Sequence, residues 1–457
     1  MRRMLSLDGP ASVARPLAVL AFALLAATLG GCRAFQDHRL ALDRLHQAGL
    51  LDQADRVLAD PNVQRLYRPR SLTLLELERG GAALASGRPL DALRHLEEAE
   101  RRIDLVRETS AADAVAQWLR SDAATTYLAS PYEDLYVNVL KMLAHYSLGT
   151  IDGGVTVEAR RMARKTDLLR DRYLALSREL DRRGGETLAS ARAHAPRLDN
   201  PAGEFVESPL GVYLSALAFM QTGETEFQRV AGRRLEQALT LQRGLVGDVA
   251  PARFAGLGEL PRGRYNVLVV ALSGRAPTRD VERVGPIPIL SLPVYLELPR
   301  LVPHPSQVAS VRVLAPGDPR ALQLDLVEDL ASVAEENHRR QLPQIYSRAV
   351  LRSMLKAGAT VVATEAVAQQ QRRENRDLVR VLGGIAGLGL LMATEAADLR
   401  CWSMLPAQAR VGLLSLPEGR HRIAVEFLGG GGTIQRVECE VDAAPMGLRA
   451  VVVHGGR

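Results

Sequence analysis

The sequence predicts an α+β chain, with an irregular helical-repeat region over 37–245 followed by small β-rich modules and intervening helices. Three observations carry that prediction. Leucine and alanine recur at helical spacing from Leu40 to Leu239. A glycine- and proline-marked stretch, Gly256 to Gly263, then breaks the pattern and opens onto the apolar run of Arg264 to Leu272. Beyond it, short alternating segments fall in two groups, 257–327 and 394–457, on either side of a helical segment at 328–393.

The chain begins with a basic end carrying Arg2, Arg3 and Arg15, then an apolar run from Leu17 to Leu29, then Gly30-Gly31-Cys32. That order is a secretory signal over 1–31 closing in a lipobox. The basic end stays on the cytoplasmic side, the apolar core enters the translocon, and the small residues let a peptidase reach the backbone. Cys32 is then the lipidation site and the first residue of the mature chain, with 32–36 as a tether. Each buried methylene of an acyl chain adds about 0.8 kcal/mol of membrane affinity. Arg33 rather than aspartate follows the cysteine, which by the sorting rule of diderm bacteria directs the chain to the outer membrane, facing the periplasm.

In the helical region, the Ser86-Gly87-Arg88-Pro89 turn separates two amphipathic stretches, and Ala92 and Ala99 fall on the inner face of the second. Small residues there let paired helices approach closely, in the manner of a tetratricopeptide-like hairpin. A second hairpin is expected from Tyr132 to Met162 around Gly149, and a third from Leu210 to Leu239 around Gly223. Between 285 and 305 lie six prolines, which exclude a central strand and allow edge strands or extended loops. The apolar, glycine-rich stretch from Leu378 to Ala393 contains Arg380 and is shorter than the roughly 20 residues a bilayer needs. It is expected as a buried helix whose Gly383 and Gly387 allow close packing. Four strands close the chain: Ala409 to Leu416, Arg420 to Phe427, Thr433 to Val441 and Leu448 to Val453.

Composition narrows function more than it defines it. Hydrophobic residues are 47% and charged residues 24% of 457, an ordinary globular balance. Aromatics are only 4%, too few for the stacking platforms that bind single-stranded nucleic acid or sugars; no nucleic-acid partner is expected. Net charge is +6, and cleavage of the leader, with three arginines against Asp8, lowers it by two. Lysine occurs only at 141, 165 and 356, which reads as the composition of an arginine-rich genome. With Cys32 acylated, Cys401 and Cys439 are left; an oxidising compartment permits a disulfide between them, and two buried apolar thiols are the alternative.

No catalytic or metal set stands out, and no cofactor is expected. The nine histidines are scattered, without a His-x-x-x-His or Cys-x-x-Cys spacing. Ser353-Met354-Leu355-Lys356 matches a Ser-x-x-Lys pattern, but neither Lys141 nor Lys165 supplies the Lys-Thr-Gly strand that chemistry requires. Glu335-Glu336 reads as a solvated helix face. The densest unusual stretch runs from Ala393 to Pro406, where Glu395, Asp398 and Arg400 can cap and pair around a chain reversal and Trp402 can anchor it in the core.

In Thr394, Glu395, Ala397, Asp398, Arg400, Trp402, Leu405 and Pro406 the chain resembles a family of bacterial envelope lipoproteins with a helical-repeat first half and a TE-x-AD-x-R-x-W-x-x-LP signature. Tyr132-Glu133 and Val157-Glu158-Ala159-Arg160-Arg161 match its acidic-aromatic and VEARR-like segments. The resemblance implies an envelope lipoprotein and assigns no activity. The expectation is therefore a membrane-anchored, non-enzymatic interaction scaffold whose partners are envelope proteins. The alternatives are an accessory factor or enzyme of peptidoglycan or lipid metabolism, with Glu395, Asp398 and Arg400 in a polar cleft, and a ligand or lipid carrier with an apolar cavity in the β-rich half.

Overall fold

The computed structural model describes residues 34–118, 126–194, 206–222, 225–246, 265–289, 292–317, 321–369, 397–444 and 447–455. Cys32, the glycine-rich stretch at 378–393, Thr394 and Glu395 lie outside them.

The first half is helical: α1 (34–47), α2 (Leu51–Ala59), α3 (Pro61–Leu66), α4 (Leu72–Ala85), α5 (Pro89–Arg107), α6 (Ala111–Trp118), α7 (Pro131–Leu148), α8 (Thr156–His194), α9 (Pro209–Thr222) and α10 (Thr225–Val246). Of the tether expected over 32–36, residues 32 and 33 lie outside the described residues and 34–36 are helical. Helix α1 has already begun at residue 34, because the Phe35 ring meets Tyr67 edge-on at 5.3 Å and draws the backbone onto the body. Proline stands first in α3, α5, α7 and α9, where its missing N–H costs nothing and its fixed φ suits a helix. Ser130 and Glu133 form a reciprocal capping box at the start of α7.

The helix pairs of the three expected hairpins are α4–α5, α7–α8 and α9–α10; the third turn, expected around Gly223, lies outside the described residues. Gly87 and Gly149 close the first two turns with φ of 69° and 74°. In the first hairpin a Cβ at Gly80 would stand 2.7 Å from the Leu96 side chain, so glycine there lets α4 and α5 close up. Ala92 and Ala99 are fully buried, as their spacing predicts.

The strands are β1 (Val267–Ser273), β2 (Thr278–Ile289), β3 (Leu292–Val302), β4 (Ser310–Leu314), β5 (Leu322–Gln323), β6 (Asp325–Asp329), β7 (Gln408–Leu414), β8 (Gly419–Gly429), β9 (Gly432–Ala443) and β10 (Arg449–Gly455), with α11 (Leu330–Gln369) between β6 and β7. The two β stretches expected as separate modules do not stay separate. One sheet has the order β10-β1-β7-β6 and a second β5-β4-β8-β9, so each takes strands from both stretches. The reason lies in β1. All seven of its residues are buried, which demands a paired strand on each side and cover on both faces. It gains β10 in parallel and β7 antiparallel, both from the C-terminal stretch.

The alternation along β1 fixes the layers. Leu268, Val270 and Leu272 join the helical core, while Val267, Val269 and Ala271 face the second sheet. Helices, first sheet and second sheet thus stack in that order. Helices α4 and α7 pack on β10, so the sheet fills the inner side of the helical array. The proline-rich stretch forms a two-stranded ribbon, β2–β3, in which Pro288 opposes Pro293 and Val281 opposes Pro299. Each strand of an isolated ribbon has a free edge, which is where proline is tolerated. The ribbon's inner face, Val284, Leu296 and Leu298 among it, covers Tyr346 and Val350 of α11 and Leu188 of α8. Among the described residues no helix is long and apolar enough to cross a membrane.

Candidate functional site

The signature stretch forms a strap from residue 397 to 407 that runs from the helices into β7. Helices α1, α4 and α7 hold it. Arg39 donates to the Leu399 carbonyl at 2.8 Å and to the Cys401 Sγ at 2.9 Å. Glu133 accepts the Trp402 N–H at 2.8 Å. Glu78 accepts the Ser403 N–H, the Ser403 hydroxyl and the Met404 N–H, at 2.9, 2.7 and 2.9 Å. Burial pushes Glu78 up to about 7 in spite of those three donors. Trp402 is buried, as expected of an anchor, and lies over α4 where Gly81 leaves room; a Cβ there would come within 3.0 Å of Met404 Cβ and 3.3 Å of Trp402 Nε1.

Asp398 and Arg400 meet as expected at the chain reversal. Arg400 Nε and Nη2 grip the two carboxylate oxygens at 2.8 and 2.7 Å. Its Nη1 donates to Arg70 O and Ser71 Oγ, and its guanidinium lies 5.5 Å from the Tyr127 ring centroid. The pair thus binds the strap to the start of α4, a positioning role. The disulfide does not form: Cys401 and Cys439 are both free thiols. Cys401 lies in the strap against α1, whereas Cys439 sits on β9 opposite Ile423 and packs on the core between the two sheets. Ser353 is buried on α11, not displayed in a cleft. Glu336 is held by Arg339 and Arg340 at 2.7 Å each.

Beside the strap the described residues line a cavity of about 670 Å³. It lies among the helices, the ribbon and α11, not inside the β layers where a carrier cavity was expected. Its walls come from the end of α5, the entry to α7, the middle of α8, the ribbon and α11, with Asp398 at one side. Leu128, Leu169, Leu176, Leu301 and Ile345 make the apolar part, and Arg107, Arg172, Arg279, Arg348 and His338 the basic part.

The basic groups differ in their surroundings. Arg107 is paired with Asp134, and with Asp104 at 3.1 Å. Arg279 donates to the Ser130 hydroxyl and has Glu133 at 3.9 Å; burial pulls its pKa down, but Glu133 together with Tyr132, Tyr127 and Cys401 raises it above the ordinary value. Arg172 donates to the Arg107 and Thr109 carbonyls at 2.5 and 3.0 Å. Among the described residues no carboxylate lies within 4.0 Å of it, and burial alone pulls its pKa down. Burial, helped by Arg279, holds His338 down to about 4, so its ring is neutral at pH 7. The Nε of Arg279 and the Nε2 of Gln341 are buried without a partner among the described residues.

Behind this wall lies a buried ion network that the sequence reading missed. Lys165 meets Glu100 at 2.6 Å and Asp134 at 3.0 Å, and Lys141 meets Glu100 at 2.9 Å and Glu158 at 3.0 Å. Asn138 donates to Glu158 at 2.8 Å. Burial would raise Glu100, but Lys165 and Lys141 together hold it down to about 2. A signal for it was present in the sequence: two of the chain's three lysines stand here. Among the described residues no group of three or more His, Cys, Asp or Glu side chains is placed to hold a metal ion.

Comparison of the chain with protein-family models, with curated proteins and with solved structures finds no match in any of the three. The resemblance to envelope lipoproteins rests on the quoted residues alone.

Proposed function

We propose that this chain is a lipid-anchored, non-enzymatic binding protein of the bacterial envelope, held at the outer membrane through Cys32 and facing the periplasm. The observation that carries the binding role is the cavity beside the strap, whose volume falls within the range of about 300–1,000 Å³ found for small-molecule seats. Its mixture of leucine side chains and a few basic groups suits a bound ligand better than a reaction. Asp398, the carboxylate on its wall, is already gripped by Arg400. A peptide groove of the solenoid kind has little support, since the sheet fills the inner side of the helices. An envelope protein partner would meet the outer helix faces, where Leu90, Leu168 and Leu174 are exposed.

Two measurements test this. Mass spectrometry of the mature N-terminus from cells is expected to find acyl chains on Cys32, and an intact, unacylated N-terminus overturns the anchor. Native mass spectrometry of the chain extracted from envelopes is expected to find a stoichiometric small-molecule adduct. A chain that is bare at every detergent strength counts against the binding role.

A further inference from the structure

Resting on the reading of this cavity as a binding seat, we propose that its ligand is an amphipathic anion. A phosphate or carboxylate head would lie against Arg172 and Arg279, and an apolar body would lie along Leu128, Leu169, Leu176 and Leu301.

The head is argued from charge. Four guanidinium groups line the cavity against one lining carboxylate, that of Asp398, which Arg400 already holds in a bidentate grip; Arg279 has Glu133 at 3.9 Å and Arg348 has a partner of its own. Arg107 has its own counter-charges in Asp134 and Asp104. Arg172 is different: it is partly buried, its partners at 2.5 and 3.0 Å are neutral carbonyl oxygens, and none of the described carboxylates reaches it. A partly desolvated cation without a counter-ion is unfavourable, and an anionic head supplies that counter-ion with charge-assisted hydrogen bonds. Arg279 and Gln341, whose Nε and Nε2 are buried without a partner among the described residues, are among the residues that line the same space.

The body is argued from the rest of the wall. The four leucines come from three separate segments and turn apolar surface into the cavity, which a bare inorganic anion would leave against water. Leu105, at the rim, is 53% exposed and continues the apolar surface outward. The same head chemistry is carried by fatty acids, by lipid phosphates and by small soluble phosphate esters, and the probes below separate these sources.

The test is isothermal titration calorimetry on the whole mature chain carrying Cys32→Ser, so that no protein-borne acyl chain competes. The probes are a long-chain carboxylate, a long-chain phosphate monoester, the long-chain alcohol of equal length, a short-chain phosphate monoester and inorganic phosphate. At least one long-chain anion is expected to bind saturably, one per chain. The alcohol, the short-chain ester and inorganic phosphate are each expected to bind at least tenfold more weakly. Arg172→Gln is expected to weaken the long-chain anion at least tenfold and leave the alcohol unchanged. Leu105→Glu changes an exposed rim position, so the fold does not depend on it, and it is expected to weaken the anion selectively as well. Thermal melting by circular dichroism identifies any variant that fails to fold.

Alcohol binding as tight as the anion overturns the charged head and leaves the binding seat standing. Short-chain ester or inorganic phosphate binding as tight as the long-chain anion overturns the apolar body and assigns a soluble ligand. No saturable binding by any probe, while native mass spectrometry still finds an adduct, overturns this assignment alone. No probe binding and no adduct overturn both.

Discussion

Replacing Glu100 by glutamine tests the ion network behind the cavity most directly. Glu100 accepts from Lys165 at 2.6 Å, from Lys141 at 2.9 Å and from Asn138 at 3.1 Å. Both ammonium groups are buried, Lys141 completely. Glutamine keeps the shape but turns its NH2 group towards one ammonium and removes the carboxylate the two share, leaving Lys165 with Asp134 and Lys141 with Glu158. Loss of one partner from a buried ion pair costs about 3–5 kcal/mol. The titration of Glu100 gives a second route to the size. Its pKa lies near 2 rather than 4.5, which corresponds to roughly 3 kcal/mol of stabilisation from ionisation in the fold. A depressed carboxyl stabilises above its unfolded value, so this contribution is complete above pH 4.5 and is lost as the pH falls towards 2. Urea unfolding followed by circular dichroism is expected to show E100Q less stable than wild type by about 3–5 kcal/mol at pH 7, with an unchanged slope. The difference is expected to shrink below pH 4.5. A loss under about 1 kcal/mol, within the range of an exposed ion pair, or a difference independent of pH, refutes the reasoning.

Lys141→Arg keeps the charge but forces a broad guanidinium into a fully buried slot; overpacking costs about 1–3 kcal/mol, read as a lower urea midpoint. Glu78→Gln cannot accept from all three strap donors, and a buried donor left unmatched costs about 1–3 kcal/mol; amide exchange at Ser403 and Met404 is expected to speed up. Glu78 lies above its ordinary value of 4.5, at about 7, so its contribution is complete below pH 4.5 and is lost as the pH rises through 7; wild-type stability is expected to fall over that interval relative to E78Q. Thiol titration of the denatured chain, acylated at Cys32, is expected to give two reactive groups per chain with or without prior reductant, and none without reductant would restore the Cys401–Cys439 bond.

Local pattern was legible where one element's own residues decide its state. The seven-residue apolar run of β1, the capping proline of α5 and the turn at Gly87 are readable because periodicity and backbone freedom act within a few residues. Pairing was not legible. Nothing in Val267–Ser273 says that its parallel neighbour lies at Arg449–Gly455, because a strand buried on both faces accepts any apolar partner of the right length. The signature stretch was half legible: Trp402 as an anchor and Asp398 with Arg400 as a pair follow from local chemistry, but the carboxylates that clamp the strap, Glu78 and Glu133, sit in helices hundreds of residues earlier. The cavity was hidden for the same reason, since Arg172, Arg279 and His338 share it only through the fold. The scarcity of lysine was visible, but that Lys141 and Lys165 meet at one carboxylate was not. At Glu100 the compact ammonium of Lys141 and Lys165 fits where a planar fork would not.

The early start of α1 bears on how the whole molecule would ride at a bilayer. Residue 34 is already in a helix whose Phe35 is clamped by Tyr67. With fatty chains on Cys32, the leash is two residues, a reach of about 7 Å. If the proposed anchor holds, a leash that short would keep the body close to the membrane it is tied to. Helix α1 would then be the element nearest the headgroups, and a partner would have to reach the body there.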